Sequence, residues 1–180
     1  MKRCKWVKLD NEEYIRYHDE EWGKPSKDDD YIFEMLLLES FQAGLSWECV
    51  LNKRDDFRKA FDNFDYNKIA KYDETKINEL VQNDKIIRNR LKIEATINNS
   101  KIFIAIQNEF GSFSNYIWSF TNNKIIKNKN DLFKTTSELS DRVSKDLKKR
   151  GMKFVGSIII YSFLQAIGII NDHETDCFLF

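Results

Sequence analysis

The chain has 180 residues but only two histidines and three cysteines. Four of these five gather at its ends: Cys4 and His18 near one terminus, His173 and Cys177 near the other. Thiolate sulfur and imidazole nitrogen are the ligands that zinc takes in closed tetrahedral sites of structural type. The His-x3-Cys spacing is common at zinc sites and sets both side chains on one side of a helical turn. The Cys-x13-His spacing is not that of a standard finger. Two readings stand on the residues alone. One is a Cys2His2 set that ties the chain ends through metal bonds. The other is a pair of helix-end histidines with two inert buried thiols. Cys49 lies within a helical pattern and reads as core.

A second chemical feature is a carboxylate on an apolar face. Wound at 100° per residue, "YIFEMLLLES" puts Ile32, Met35 and Leu36 on one face, with Glu39 at its centre. Glu34 turns away, toward expected solvent. A carboxylate on a core-facing stripe is costly unless it is hydrogen-bonded or lies in a cleft. Either the helix stops and Glu39 lies in water beyond the last buried turn, or the acid projects into a pocket. The following "FQAGLSW" places Gly44 and Leu45 in a tight connection, Ser46 as an N-cap and Trp47 at the next helix start. Glu39 and Trp47 then flank one interhelical corner. Trp6, Tyr14, Tyr17 and Trp22 lie nearby in sequence. An acid among aromatic faces suits a flat, cationic, hydrogen-bonding ligand, since a desolvated cation–ring contact contributes ~0.5–2 kcal/mol. Taken singly, each aromatic also suits a core.

A third feature is a helix–turn–helix pattern in "ETKINELVQNDKIIRNRLKIEATI". Such a hairpin can aim backbone N–H groups at a DNA phosphate. Arg88, Arg90 and Lys92 supply local positive charge, and "KKRGMK" forms a second basic cluster at 148–153. Formal net charge is zero, which excludes attachment to nucleic acid by bulk charge. Each cluster alone also describes a solvated helix face. The turn carries Asp84-Lys85 where hairpins of this type generally carry glycine.

The elements that must position these residues read as helices. One proline and six glycines leave few breakers, and no internal repeat is evident. Hydrophobic residues at 42% and aromatics at 14% suffice for a core. The first helix is expected to start in "KDDDYIFEML", with its acidic start at the positive dipole end. The next runs from Ser46 through "WECVLNKRDDFRKAF". Short helices follow in "NKIAKY" and "ETKINELV", then a long helix over 86–109. "SFSNYIWSF" forms another, capped by Ser112 or Ser114. Residues 121–136 read as a surface loop. "SELSDRVSKDLKKRG" is amphipathic and ends on Gly151. "VGSIIIYSFLQAIG" is apolar almost all round and reads as the central buried helix. The expected architecture is all-α and two-lobed, with residues 1–180 one domain and its two ends stitched together. No N-terminal run resembles a signal peptide, and no apolar run reaches the ~18–20 residues of a membrane span. The expectation is a cytoplasmic protein with no membrane contact.

Taken together, "CKWV" (4–7), "YIRYHDEEWG" (14–23), "LESFQAGLSW" (38–47), "IIRNRLKI" (86–93), "KKRGMKFVG" (148–156) and "YSFLQAIGIINDH" (161–173) resemble the 3-methyladenine-DNA glycosylase I family. This family belongs to the helix–hairpin–helix glycosylase superfamily. The resemblance covers residues 1 to about 177, with the blocks in order. It implies base-excision repair of alkylated double-stranded DNA by a monomer, with the middle of the chain, about 74–97, carrying the hairpin. It implies one structural zinc at Cys4, His18, His173 and Cys177. It also implies a base pocket in which Trp47 stacks on the extruded base while Glu39 and Tyr17 read its edge and serve catalysis. Tyr14, Trp6 and Trp22 line that pocket. Gly44 and Leu45 enter the gap left in the DNA, and Lys85, Arg88 and Arg90 face the backbone. The superfamily's usual aspartate after the hairpin has no counterpart here. Lys85 replaces the hairpin glycine, and the chain stops soon after Cys177. Two other readings are a lesion-binding module that does not cleave, and a zinc-stapled interaction domain with no nucleic-acid role.

Overall fold

Polar side chains at helix entrances set most of the architecture. In the computed structural model, which describes residues 1–127 and 134–180, eight helices begin on a side chain that accepts a backbone N–H from the first turn. Asn11 opens α1 (Glu12–Glu20) and Asp28 opens α2 (Asp29–Gln42). Ser46 opens α3 (Trp47–Leu51), and α4 (Arg54–Ala60) follows without a side-chain cap. Asp65 opens α5 (Tyr66–Ile69), Asp73 opens α6 (Glu74–Gln82) and Asn89 opens α7 (Arg90–Phe110). Ser112 opens α8 (Phe113–Ser119), and Ser137 opens α9 (Glu138–Lys149) through a reciprocal box with Ser140. The last helix is α10 (Ser157–Ala166).

Several expectations change. α1 precedes the first expected helix: its strongly polar sequence hides a buried face of Tyr14, Tyr17 and His18. The helix expected from Ser46 breaks into α3 and α4 around Asn52 and Lys53. The long helix starts at Arg90 rather than 86, because the Asn89 side chain accepts the Lys92 N–H. A parallel ladder pairs β1 (Ile126–Lys127) with β2 (Ile170–Asn171), so the fold is mostly rather than wholly helical. β1 occupies part of the expected surface loop; residues 128–133 of that loop lie outside the described residues. His173 and Cys177 follow β2 in a turn, where the Cys177 N–H donates to Glu174 O, and not on a helix. Cys49 is half-buried rather than core.

The centre is α2, whose buried residues run from Ile32 to Phe41 and which packs against α3, α7, α8 and α10. α10, expected to be the central buried helix, buries one face through Ile160, Tyr161, Phe163, Leu164 and Ala166, while Ile158 in its first turn is 59% exposed. Glu34 does not face solvent. It shares Arg54 with Glu21: Arg54 Nε donates to Glu34 at 2.6 Å, and its two terminal nitrogens donate to Glu21 at 2.7 and 2.8 Å. This joins the end of α1 to α2 and α4. The chain ends meet where Phe178 N–H donates to Lys2 O and Lys5 N–H donates to Glu174. Among the described residues no helix is long and apolar enough to cross a membrane.

Candidate active site and metal-ligand cluster

Asn11 fixes the phase of α1, so Tyr14, Tyr17 and His18 share its inward face. Trp6 packs edge-on to Tyr14 at 5.5 Å and to Trp22 at 4.9 Å between ring centroids, forming a rigid aromatic wall. α2 continues past Glu39 to Gln42, so Glu39 lies inside the helix and is 3% exposed. Of the two readings of this acid, the solvated helix end is excluded. Ser46 turns the chain so that Trp47 opens α3 with its ring 5.1 Å from that of Tyr17. α10 closes the opposite side with Ile158, Tyr161, Ser162 and Gln165. These residues, with Asp172 and His173, enclose a cavity of about 420 Å³, a size typical of small-molecule sites.

The polar inventory of this cavity is unusual. Among the described residues, five buried side-chain polar atoms have no hydrogen-bond partner: Trp6 Nε1, Glu39 Oε2, Trp47 Nε1, Asp172 Oδ1 and His173 Nε2. All five belong to residues that line the cavity. Folded proteins leave few such groups, and each costs about 1–3 kcal/mol if it stays unpaired. Burial pushes the Glu39 carboxyl up to about 8. It also raises the Tyr17 hydroxyl well above its usual value, first by burial and then by the charge of Glu39. Sequence reasoning had not selected Asp172, Gln42, Tyr161 or Gln165. Tyr161 OH and Gln165 Nε2 donate to Asp172 Oδ2 at 2.5 and 2.7 Å, which fixes that carboxylate. Its position beside His173 in "NDH" was the available signal.

The residues expected to face DNA lie elsewhere. Gly44 has φ +79°, and a Cβ there would meet nothing within 4 Å; the glycine is required by the turn and not by crowding. Leu45 follows, 41% exposed. Lys85 and Arg88 are exposed. The hairpin turn needs no positive φ: Asn83 Oδ1 accepts the Lys85 N–H at 3.1 Å in an Asx turn, so lysine fits where glycine was expected. Arg90 is already engaged by Glu74, Asn78 and Glu94.

At the joined ends, Cys4, His18 and Cys177 are buried, and their ligand atoms lie within 4.8 Å of one another, a cluster that could hold a metal ion. His173 is outside that set of three, but its ring lies 5.2 Å from that of His18. Both imidazoles are held by Nδ1: His18 by Asp19 at 2.7 Å, and His173 by Asn171 at 2.8 Å. Arg3 in turn grips Asp19 with two nitrogens. Such outer partners orient imidazole for metal binding through the other nitrogen. His173 Nε2 is buried and unpartnered, which leaves a fourth donor, a nitrogen, beside a cluster whose thiol and imidazole types suit zinc. Gly23 makes room for this ring, since a Cβ there would lie 2.7 Å from His173 Cε1.

Comparison with known proteins agrees with this geometry. The model of the methyladenine glycosylase family matches residues 6–180. A DNA-3-methyladenine glycosylase of Haemophilus influenzae is 46% identical over 178 residues, covering 97% of this chain and 96% of that protein. A crystal structure of 3-methyladenine DNA glycosylase I superposes with a TM-score of 0.94 at 45% identity, covering 98% of each chain. A Tyr-to-Phe variant of a 3-methyladenine DNA glycosylase I, solved in complex with 3-methyladenine, superposes with a TM-score of 0.93 at 34% identity over 98% of this chain and 96% of that one. The chain therefore belongs to the methyladenine glycosylase family.

Proposed function

We propose that this protein is a monofunctional DNA-3-methyladenine glycosylase, which hydrolyses the N-glycosidic bond of N3-methyladenine in alkylated double-stranded DNA after the base is flipped out. The observation that carries this reading is the concentration of every unpartnered buried polar side-chain atom, among the described residues, around one aromatic-walled cavity. His173 Nε2 points to the metal cluster; the other four, on Trp6, Glu39, Trp47 and Asp172, suit a ligand that is flat and hydrogen-bonding. Glu39 adds a requirement for positive charge.

N3-methyladenine in DNA is cationic, and its bond to the sugar is already weak. The leaving group therefore needs little protonation, and selectivity rests on binding. Extrusion costs a few kcal/mol, least for a damaged base that pairs poorly. Trp47 stacks on the extruded ring, and stacking of this kind contributes about 1–3 kcal/mol per base. Glu39 and Tyr17 read the hydrogen-bonding edge, with Tyr14, Trp6 and Trp22 supporting them. Before a base binds, Glu39 retains its proton at neutral pH, because burial strips an ionised carboxylate of its water. A cationic purine beside it favours the ionised form, whereas neutral adenine does not. In the reaction the C1′–N9 bond breaks and its electron pair passes to the purine, cancelling the ring's charge. Water adds to C1′ and loses its proton to solvent. Gly44 and Leu45 occupy the gap in the duplex, and the hairpin of α6 and α7, with Lys85, Arg88 and Arg90, holds the backbone.

Residues 1–180 act as one glycosylase domain of two helical lobes, and the chain ends form part of the metal-bearing lobe. Cys4, His18, His173 and Cys177 would hold a single zinc that supplies a structural tie, since four protein ligands leave no position for water. We read the protein as a cytoplasmic monomer. Incubating it with methylated DNA and identifying the released bases tests the assignment. Free 3-methyladenine supports it. Lesion binding without any released base supports the non-cleaving alternative.

A further inference from the structure

A buried cation outside the cavity plays no part in the chemistry above. Lys92 is 6% exposed, although it stands in the first turn of α7, just past the exposed hairpin. Its ammonium donates to Phe41 O at 2.7 Å and to Ala43 O at 2.6 Å. These are carbonyls at the C-terminal end of α2, the negative end of the helix dipole, and α2 has no basic residue of its own in its last turn. No carboxylate lies within ion-pair reach of Lys92 among the described residues. Burying an unpaired ammonium is expensive. Among the described residues its strong partners are therefore Phe41 O in the last turn of α2 and Ala43 O, immediately before Gly44 and Leu45.

The site is also closed from its outer side. The Phe154 ring lies 5.9 Å from the ammonium, and Phe154 is held at φ +55°, a conformation unfavourable for a bulky residue. Asn99 of α7 fixes that loop by accepting the Lys153 N–H and donating to Lys153 O, both at 2.9 Å. Asn98 donates to Gly151 O at 2.9 Å. Meanwhile the backbone N–H of Lys92 is bonded to the Asn89 cap that ends the hairpin. One residue thus belongs to the hairpin exit by its backbone and to the Gly44–Leu45 loop by its side chain.

We infer that Lys92 is a positioning residue that locks the loop at Ala43–Leu45 to the hairpin, so that the backbone grip and the duplex wedge act as one rigid body. The inference rests on the proposed role of Leu45 in the duplex gap. The lock serves base extrusion and not the pocket, because Lys92 is absent from the cavity wall.

The test uses Lys92→Met, Leu45→Ala and the double variant of the full chain. Two readouts are compared: release of 3-methyladenine from methylated duplex DNA, and affinity for free 3-methyladenine by titration calorimetry. Lys92→Met is expected to slow duplex release at least tenfold while free-base affinity stays within twofold. The double variant is expected to be no slower than the slower single variant, because both remove one function. Lys92→Arg, which keeps the charge and the donors, restores part of the rate. If Lys92→Met does not fold, Lys92→Gln carries the same comparison. Slow release in Leu45→Ala with normal release in Lys92→Met overturns the inference alone. So do losses that multiply in the double variant, or a loss that tracks free-base affinity. Normal release in Leu45→Ala overturns the wedge reading itself, and the lock with it.

Discussion

Replacing Glu39 by glutamine should make the protein more stable and less active, and the stability gain should depend on pH. Burial pushes this carboxyl from 4.5 up to about 8. Below pH 4.5 the folded and unfolded chains both hold the proton, and the buried group carries no ionisation penalty. Between pH 4.5 and about 8 the unfolded chain releases the proton while the folded chain keeps it. Folded stability then falls as pH rises, by about 1.4 kcal/mol per pH unit. The penalty reaches about 3 kcal/mol at pH 7 and levels off near 5 kcal/mol above pH 8. Glutamine has nearly the same shape and cannot ionise, so the variant escapes this slope. Urea unfolding of both proteins at pH 5, 6, 7 and 8 measures the difference, in which other titrating groups cancel. The variant should gain on the parent steadily across that range, and should release 3-methyladenine more slowly. A difference that stays flat from pH 5 to 8, or that shrinks as pH rises, refutes the desolvated-carboxylate argument. Parental excision by the variant refutes the role of Glu39 in the pocket.

Trp47→Ala should weaken binding of free 3-methyladenine by about 5- to 150-fold, given stacking of about 1–3 kcal/mol; unchanged calorimetric affinity excludes stacking on that ring. Cys177→Ser should lose zinc and melt at lower temperature, and a zinc content equal to the parent's by elemental analysis removes Cys177 from the ligand set. Arg88→Ala should lower the salt dependence of DNA binding by about one phosphate contact. Arg90→Ala should change it less, because Glu74 and Glu94 already hold that guanidinium. Equal slopes for the two variants contradict this division.

The hairpin illustrates how a local departure from a family pattern resolves in three dimensions. The lysine at 85 suggested a backbone denied its glycine. The chain avoids the demand by bonding Asn83 Oδ1 to the Lys85 N–H and keeping φ negative. Arg90 shows the converse. Its position in "IIRNRLKI" suggested a free cation, but Glu74 lies one helix away and reaches it across the hairpin.

By itself the sequence determined what is local. Ser46, Ser112 and Gly151 mark helix ends because a cap or a left-handed turn depends on a few neighbouring residues. The scarcity of His and Cys singled out the metal-ligand types, and the ordered blocks carried the family resemblance. Periodicity put Glu39 on the inner face of α2 but left open whether water or protein stood opposite. Only the tertiary structure decided that, by packing α1, α3 and α10 around it and removing its solvent. The same holds for Glu34, drawn from expected solvent into the grip of Arg54, and for Lys92, buried against carbonyls 49 and 51 residues away. Burial and electrostatics arise from contacts between distant segments, and no window along the chain contains both partners.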